Sequence, residues 1–390
     1  MKKILPLFVS LLFLSCSKDP DYVAIDGEVI APVLNLPPTP YNYSNIAWPS
    51  YFYTNAAGGV AGIDNTPGSN PVTDNGATLG RVLFYDRNLS LNRSTACASC
   101  HRTEASFADS SPFSTGLYGG HTRRNSMTLV NTRFYKNGRF FYDERAATLE
   151  DQVLMPFLDH GEMDMTTALI VQRVQDEEYY HDLFIKAYGT AAVSPERIAA
   201  ALSQFIRSIV SFNSRYDAGR AVVPNMQDTF PNFTVAENRG KDLFLKSITN
   251  GGAGCYSCHT TEAFVAPNVG LVNNGLDAVS GTDLGAYEFY GQENLKGAYK
   301  IPTLRNIVHT APYMHDARFR TLRQVIEFYN SGVQNHPNLS PLLKDANGQP
   351  RKLNLSEEDI QALVAFLYTL NDDTLQSDAR WLDPFINQHL

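Results

Sequence analysis

Four of the five cysteines fall in two Cys-x-x-Cys-His strings, CASCH at residues 97–101 and CYSCH at 255–259. Two such thiols can close a tight disulfide, and four together can build a zinc site. Neither arrangement needs a histidine directly after each second cysteine. Covalent haem attachment does, because the thiols add to the two vinyl groups and the adjacent imidazole reaches the iron. The string occurs twice, so the sequence predicts two c-type haems. Cys97 and Cys100 would hold one and Cys255 and Cys258 the other, with His101 and His259 as proximal ligands.

The elements around these strings repeat. Leu79-Gly80-Arg81-Val82-Leu83-Phe84 precedes the first and Arg239-Gly240-Lys241-Asp242-Leu243-Phe244 the second, with the Leu-Phe pairs 160 residues apart and the cysteines 158 apart. Both strings are followed by Thr-Glu-Ala. A repeat of this length reads as a copied domain rather than a solenoid. Helix signals dominate. Ser194-Pro195-Glu196 is a capped start for a helix with Ile198, Leu202, Phe205, Ile209 and Phe212 on one face. Thr234-x-x-Glu237, Thr321-x-x-Gln324 and Ser356 before Ile360, Leu363, Val364 and Leu367 open others. Alternating strand patterns are scarce. The expected fold is therefore mostly α, with two tandem cytochrome c-like haem domains related by internal duplication, at 67–225 and 226–375. Proline-rich residues 17–66 read as a tether or irregular wrap and 376–390 as a C-terminal tail.

A chain of 390 residues suits two domains of ordinary size. The net charge of −8 argues against nucleic acid as a partner and suits a basic protein. Lys2, Lys3 and the apolar run Ile4 to Leu14 read as an export signal too short to span a bilayer. Leu12-Phe13-Leu14-Ser15-Cys16 resembles a bacterial lipobox, making Cys16 the expected lipid anchor and residues 1–16 a lipoprotein signal peptide; a plain secretory signal is the alternative. Either places the chain outside the cytoplasm, on the periplasmic or cell-envelope side, touching membrane only through that anchor.

From about residue 67 to 370 the chain resembles the bacterial dihaem cytochrome c peroxidases and their MauG-like relatives. The resemblance rests on LGRVLFYDRNLS (79–90), TACASCHRTEASFAD (95–109), RRNSMTLVN (123–131), FFYDERAATLEDQ (140–152), Glu162-Met163, GAGCYSCH and YKIPTLRNIVHTAPYMHDARF, in the family's order. It implies that hydrogen peroxide meets the N-terminal haem and that the C-terminal haem collects electrons from a donor protein, a small cytochrome or similar. The family's distal glutamine and glutamate fall on Gln152 and Glu162. A carboxylate over an open iron can move a proton between the peroxide oxygens. His121 is the nearby candidate for a resting sixth ligand, against the reading of a polar loop histidine. For the second haem the resemblance implies Tyr329, as in MauG-like proteins, with Met314 as the alternative. An anionic tyrosine would lower the potential relative to methionine. Tyr329 is expected on one helical face with Leu322, Val325 and Ile326. Tyr142 stands where the family usually has a tryptophan between the haems. Asn125 and the carbonyls of Thr310 and Pro312 match an interdomain calcium site. His315 and Arg305 match positions at the haem edges, or else serve packing.

The resemblance implies a dihaem peroxidase that reduces peroxide to water. A MauG-like enzyme oxidising residues of a partner protein is the alternative, and a non-catalytic electron carrier would leave Gln152 and Glu162 unexplained. A homodimer stays open.

Overall fold

The computed structural model describes residues 33–54, 59–267 and 269–386. The export signal and Cys16 lie outside the described residues. The α-helices are α1 Asp74–Tyr85, α2 Cys97–Cys100, α3 Leu149–Gln152, α4 Met155–Leu158, α5 Thr167–Asp176, α6 Glu178–Tyr188, α7 Pro195–Ser208, α8 Arg215–Arg220, α9 Val235–Leu245, α10 Tyr287–Tyr290, α11 Leu322–Glu327 and α12 Glu357–Tyr368. Among the described residues strand pairing is confined to isolated bridges, and no helix is long and apolar enough to cross a membrane.

Side-chain caps start the helices where the sequence signals them. Ser194, Thr234, Thr321 and Ser356 each accept a hydrogen bond from the amide three residues on, and Thr234 and Thr321 complete capping boxes with Glu237 and Gln324. The expected face of α7 runs too far, because the helix stops at Ser208. Asn131 captures the chain beyond it: its amide donates to the Ile209 carbonyl at 2.9 Å and its Oδ1 accepts from the Ser211 amide at 2.9 Å.

Two hydrophobic cores result. The first is built on α1, α5, α6 and α7, with Leu79, Phe84, Ile170, Phe184 and Phe205 buried. The second is built on α8, α9 and α12, with Tyr216, Phe244, Phe264 and Phe366 buried. In the first, α1 crosses α7 at Gly80, where an added Cβ would lie 1.9 Å from the Ala201 carbonyl oxygen and 2.9 Å from Phe205 Cβ. In the second, α9 crosses α12 at Gly240, where it would lie 1.9 Å from the Ala362 oxygen and 2.9 Å from Phe366 Cβ. The residue after each glycine pins an irregular strap: Arg81 Nε donates to the Leu382 carbonyl at 2.7 Å, and Lys241 Nζ to that of Met226 at 2.8 Å.

Residues from both ends of the described chain finish the first core. Leu34 bridges Phe385, the Ile386 amide donates to the Val33 carbonyl at 2.9 Å, and Tyr43 OH donates to the Arg380 carbonyl at 2.7 Å. Tyr43, Tyr51, Phe52, Leu375, Trp381 and Phe385 are all buried there.

Candidate functional site

The first motif forms the single turn α2, with Ser99 Oγ accepting the Ala96 amide at 3.1 Å. After it the chain doubles back through Ser106 and Phe107, at φ 51° and 58°, so that Arg102 bridges Ala108. That turn brings the Phe107 carbonyl oxygen 3.0 Å from His101 Nδ1 and fixes the ring. Burial holds the His101 pKa below its ordinary value, leaving a neutral imidazole able to ligate a metal.

Glu162 sits in a tight turn after α4, where the Asp159 carbonyl accepts the amides of Glu162 at 3.1 Å and Asp164 at 2.9 Å. The Leu117 amide donates to the Glu162 carbonyl at 3.2 Å, and Gly116 is so close that a Cβ there would lie 1.8 Å from the Gly161 oxygen. Burial raises the Glu162 pKa; Asp159 adds to the effect and Arg145 opposes it. Burial pushes the Cys97 thiol up to about 12 and the Cys100 thiol up to about 11, and the Glu162 charge adds to both. The carboxylate therefore belongs to the environment of the first motif. Gln152 is half-buried at the end of α3. His121 is exposed, at the exit of a hairpin closed by its bridge to Thr115.

At the second motif, Gly254 at φ 72° leads into a 3-10 turn, Cys255–Ser257. His259 Nδ1 is buried without a hydrogen-bond partner. Burial lowers its pKa to about 4. Both candidate sixth ligands converge on one side chain: Asn274 Nδ2 lies 3.3 Å from Tyr329 OH and 3.7 Å from Met314 Sδ. Burial pushes Tyr329 up to about 12, the Asn274 bond opposes, and Cys258 and Cys255 add. Tyr329 thus lies within electrostatic reach of the second motif's thiols, although not on the regular helical face expected. α11 ends at Glu327 and widens into a π-turn, Phe328–Gly332, which carries the tyrosine.

The two cysteine pairs are not joined in disulfides. Among the described residues no group of three or more His, Cys, Asp or Glu could hold a metal ion, so a shared zinc site finds no support. Paired half-buried thiols next to a buried neutral imidazole fit covalent haem at each motif.

Tyr142 stands edge-on to Tyr299 and His315, with ring centroids 6.3 and 6.5 Å away, and Tyr299 stacks on His315 at 3.9 Å. Arg124 clamps the halves, reaching Asp143 at 2.7 Å and Asp283 at 2.7 Å, while Arg123 reaches Glu288 at 2.5 Å. The Asn125 amide donates to the His315 carbonyl at 2.8 Å, which brings Asn125 to the loop that carries Thr310 and Pro312. Asn125 Nδ2 is taken by the Ser111 carbonyl at 3.1 Å and that of Pro112 at 3.2 Å. Arg305 is fully buried on Asp217 at 2.7 Å and on the Glu262 carbonyl, which makes it a packing cation of the second core. A cavity of about 220 Å³ opens between Asn274, Asp283, Tyr299, His315, Arg318 and His336. Asn274, Asp283 and Tyr299 were invisible to spacing because they lie in irregular loops; only the folded chain brings them here.

A family model described as di-haem cytochrome c peroxidase matches residues 74–221. Over 316 residues the chain is 31% identical to methylamine utilization protein MauG of Methylophilus methylotrophus, a match covering 80% of this chain and 87% of the relative. It is 29% identical to cytochrome c551 peroxidase of Nitrosomonas europaea, over 76% of this chain and 80% of that one. The crystal structure of a MauG-like protein associated with microbial copper homeostasis superposes with a TM-score of 0.72 at 30% identity, covering 82% of this chain and 96% of that one. The helical fold, the two cysteine-histidine motifs and these relatives agree: the chain belongs to the bacterial dihaem cytochrome c peroxidase and MauG-like family of oxidoreductases.

Proposed function

We propose that the protein reduces hydrogen peroxide to water at the first motif, with electrons that a small donor cytochrome or similar protein delivers at the second. The observation that carries this reading is the asymmetry of the two sites. A half-buried carboxylate with a raised pKa attends the first, whereas a tyrosine and a methionine joined through Asn274 attend the second. Haem bound at each motif supplies an iron that meets peroxide at one end and passes electrons at the other. Glu162 accepts the proton of the inner peroxide oxygen and returns it to the outer one, a transfer that its raised pKa favours. Gln152 orients the peroxide. Tyr142, with Tyr299 and His315 against it, connects the two sites. Tyr329 closes the second site, the electrostatic influence of both thiols on it favouring it over Met314.

The same reading includes a calcium ion held by Asn125 and the Thr310 and Pro312 carbonyls; the occupied Nδ2 of Asn125 leaves its Oδ1 for a hard cation. It also takes the two motif-bearing segments, 67–225 and 226–375, as copies of one haem domain, supported by matching crossings at Gly80 and Gly240. Export and lipidation at Cys16 would set the enzyme on the outer side of a membrane, within reach of its donor. A second reading, oxidation of residues on a partner protein, is favoured by Tyr329 and by the MauG relatives. Glu162→Gln tests the leading one: both haems should be retained and peroxide turnover should fall about 10²- to 10⁴-fold. Near-normal turnover would remove Glu162 from the reaction.

A further inference from the structure

Beside the Glu162 turn lies a solvent-facing cluster that the reaction above does not use. Tyr118 stands at the tip of the hairpin, between Leu117, whose amide bonds the Glu162 carbonyl at 3.2 Å, and Gly119, whose φ of 75° makes the turn. Its side chain is 59% exposed, and its ring packs against His160 with centroids 5.0 Å apart. Tyr118 OH donates to Asp164 Oδ2, while His160 Nδ1 lies 3.0 Å from Asp164 Oδ1. One surface carboxylate thus holds a phenol and an imidazole. The Leu117 amide and the close seat of Gly116 already fasten the hairpin, so its anchoring does not require this arrangement.

A phenol gives up an electron more readily when a base takes its proton as the electron leaves. The bonds from Tyr118 and His160 hold Asp164 below the usual carboxylate range, so it is ionised and able to serve. The position suits the first haem. Consecutive Cα atoms are about 3.8 Å apart, so Tyr118 is one short step from the amide bonded to Glu162, whose charge is felt at Cys97 and Cys100.

We propose that Tyr118 is a surface electron-entry site through which small phenols or aromatic amines reduce the first haem after it has been oxidised by peroxide, bypassing the donor protein and the second haem. The inference rests on the peroxidase reading. Tyr118 passes one electron to the first haem and its hydroxyl proton to Asp164. A donor AH restores the hydrogen of Tyr118 and leaves as the radical, and the proton on Asp164 moves on to the reduced oxygen. Two AH and one peroxide give two donor radicals and two waters. The exposed faces of Tyr118 and His160 offer a flat donor a stacking surface.

The test uses the holoprotein, hydrogen peroxide and 2-methoxyphenol, with freeze-quench electron paramagnetic resonance and mass spectrometry of a spin-trap adduct on the Tyr118 peptide. The parent should show a tyrosyl radical and an adduct at Tyr118. Tyr118→Phe should lose both and oxidise 2-methoxyphenol at least tenfold more slowly. Asp164→Asn should lower the radical yield, and Tyr118→Trp should restore phenol oxidation because an indole does not depend on that base. The proposal is overturned if Tyr118→Phe keeps the parental phenol rate, or if Tyr118→Trp is as slow as Tyr118→Phe, which would make the loss one of packing. A parent whose haem absorption does not respond to peroxide sinks the peroxidase reading and this one together.

Discussion

Replacing Gly80 or Gly240 by alanine perturbs one helix crossing at a time, and the structure sets the size of the effect. At each site the new Cβ would lie 1.9 Å from a backbone carbonyl oxygen, where ordinary contact begins at 3.4 Å, so the two helices must part by more than an ångström. Overpacking of this kind costs about 1–3 kcal/mol, and a clash with backbone belongs at or above the upper end. Alanine's better helix propensity returns about 1 kcal/mol. The net loss is about 2 kcal/mol per crossing, or about 4–8 °C in midpoint for a core of this size. The cores can be read separately. The chain has two tryptophans, and both Trp48 and Trp381 pack in the first core. Tryptophan fluorescence during thermal unfolding therefore reports the first core, and far-ultraviolet circular dichroism reports both. Gly80→Ala should lower the fluorescence midpoint, and Gly240→Ala should lower the dichroism midpoint while moving fluorescence far less. A Gly80→Ala midpoint within a degree of the parent would refute the packing argument, and equal fluorescence shifts from the two variants would refute the separation into two cores.

Other outcomes follow from the charges between and within the sites. Arg124→Ala leaves Asp143 to Arg145 at 3.0 Å and Asp283 to the more distant Arg123 and His315. Breaking a buried pair outright costs about 3–5 kcal/mol, so with these partners remaining, urea titration at pH 7 should find a loss below that range. Burial opposes ionisation of Asp283, but its Arg124 bonds outweigh this and hold its pKa well below the carboxylate range. Its stabilisation is therefore complete above the unfolded-state pKa and lost as pH falls toward the folded value, so the Arg124→Ala deficit should shrink on acidification. Glu162 has the opposite sign. Its pKa is raised, so ionising it costs stability as pH rises past the unfolded value, and Glu162→Gln should gain stability relative to the parent at pH 7 but not at pH 4. Tyr329→Phe should change the absorption spectrum of the second haem and Met314→Leu should leave it, the reverse result assigning the iron to Met314.

The parts of the fold written locally were legible in the sequence. Ser194, Thr234, Thr321 and Ser356 cap the helices their spacing announces, because a cap needs only its own backbone three residues on. The two haem strings were legible for the same reason: each completes its donor set within five residues. Features that depend on distant chain were not. The end of α7 is set by Asn131, and the placement of Tyr329 by a π-turn that no hydrophobic period encodes. Asn274, which joins Met314 to Tyr329, sits 40 and 55 residues from them. Arg124 and Asp283 are 159 residues apart, and neither charge alone looks different from a solvated one. Glu162 was found through resemblance. What marks it physically is burial, which a lone acid in a sequence does not reveal.

The clasp between the ends of the described chain bears on when the protein can mature. Leu375, Trp381 and Phe385 complete a core whose other members begin at Tyr43, so the first core cannot close until nearly the whole chain has emerged. The apolar members of the second core run only from Tyr216 to Leu370. A chain emerging from its N-terminus therefore presents Cys97, Cys100 and His101 early and in an unfinished setting, accessible to whatever machinery attaches haem, while the later motif emerges when most of its own apolar core is at hand. Trimming residues 375–386 should then spare the second haem's environment and leave the first loosely held, so the order of assembly is built into the route of the chain.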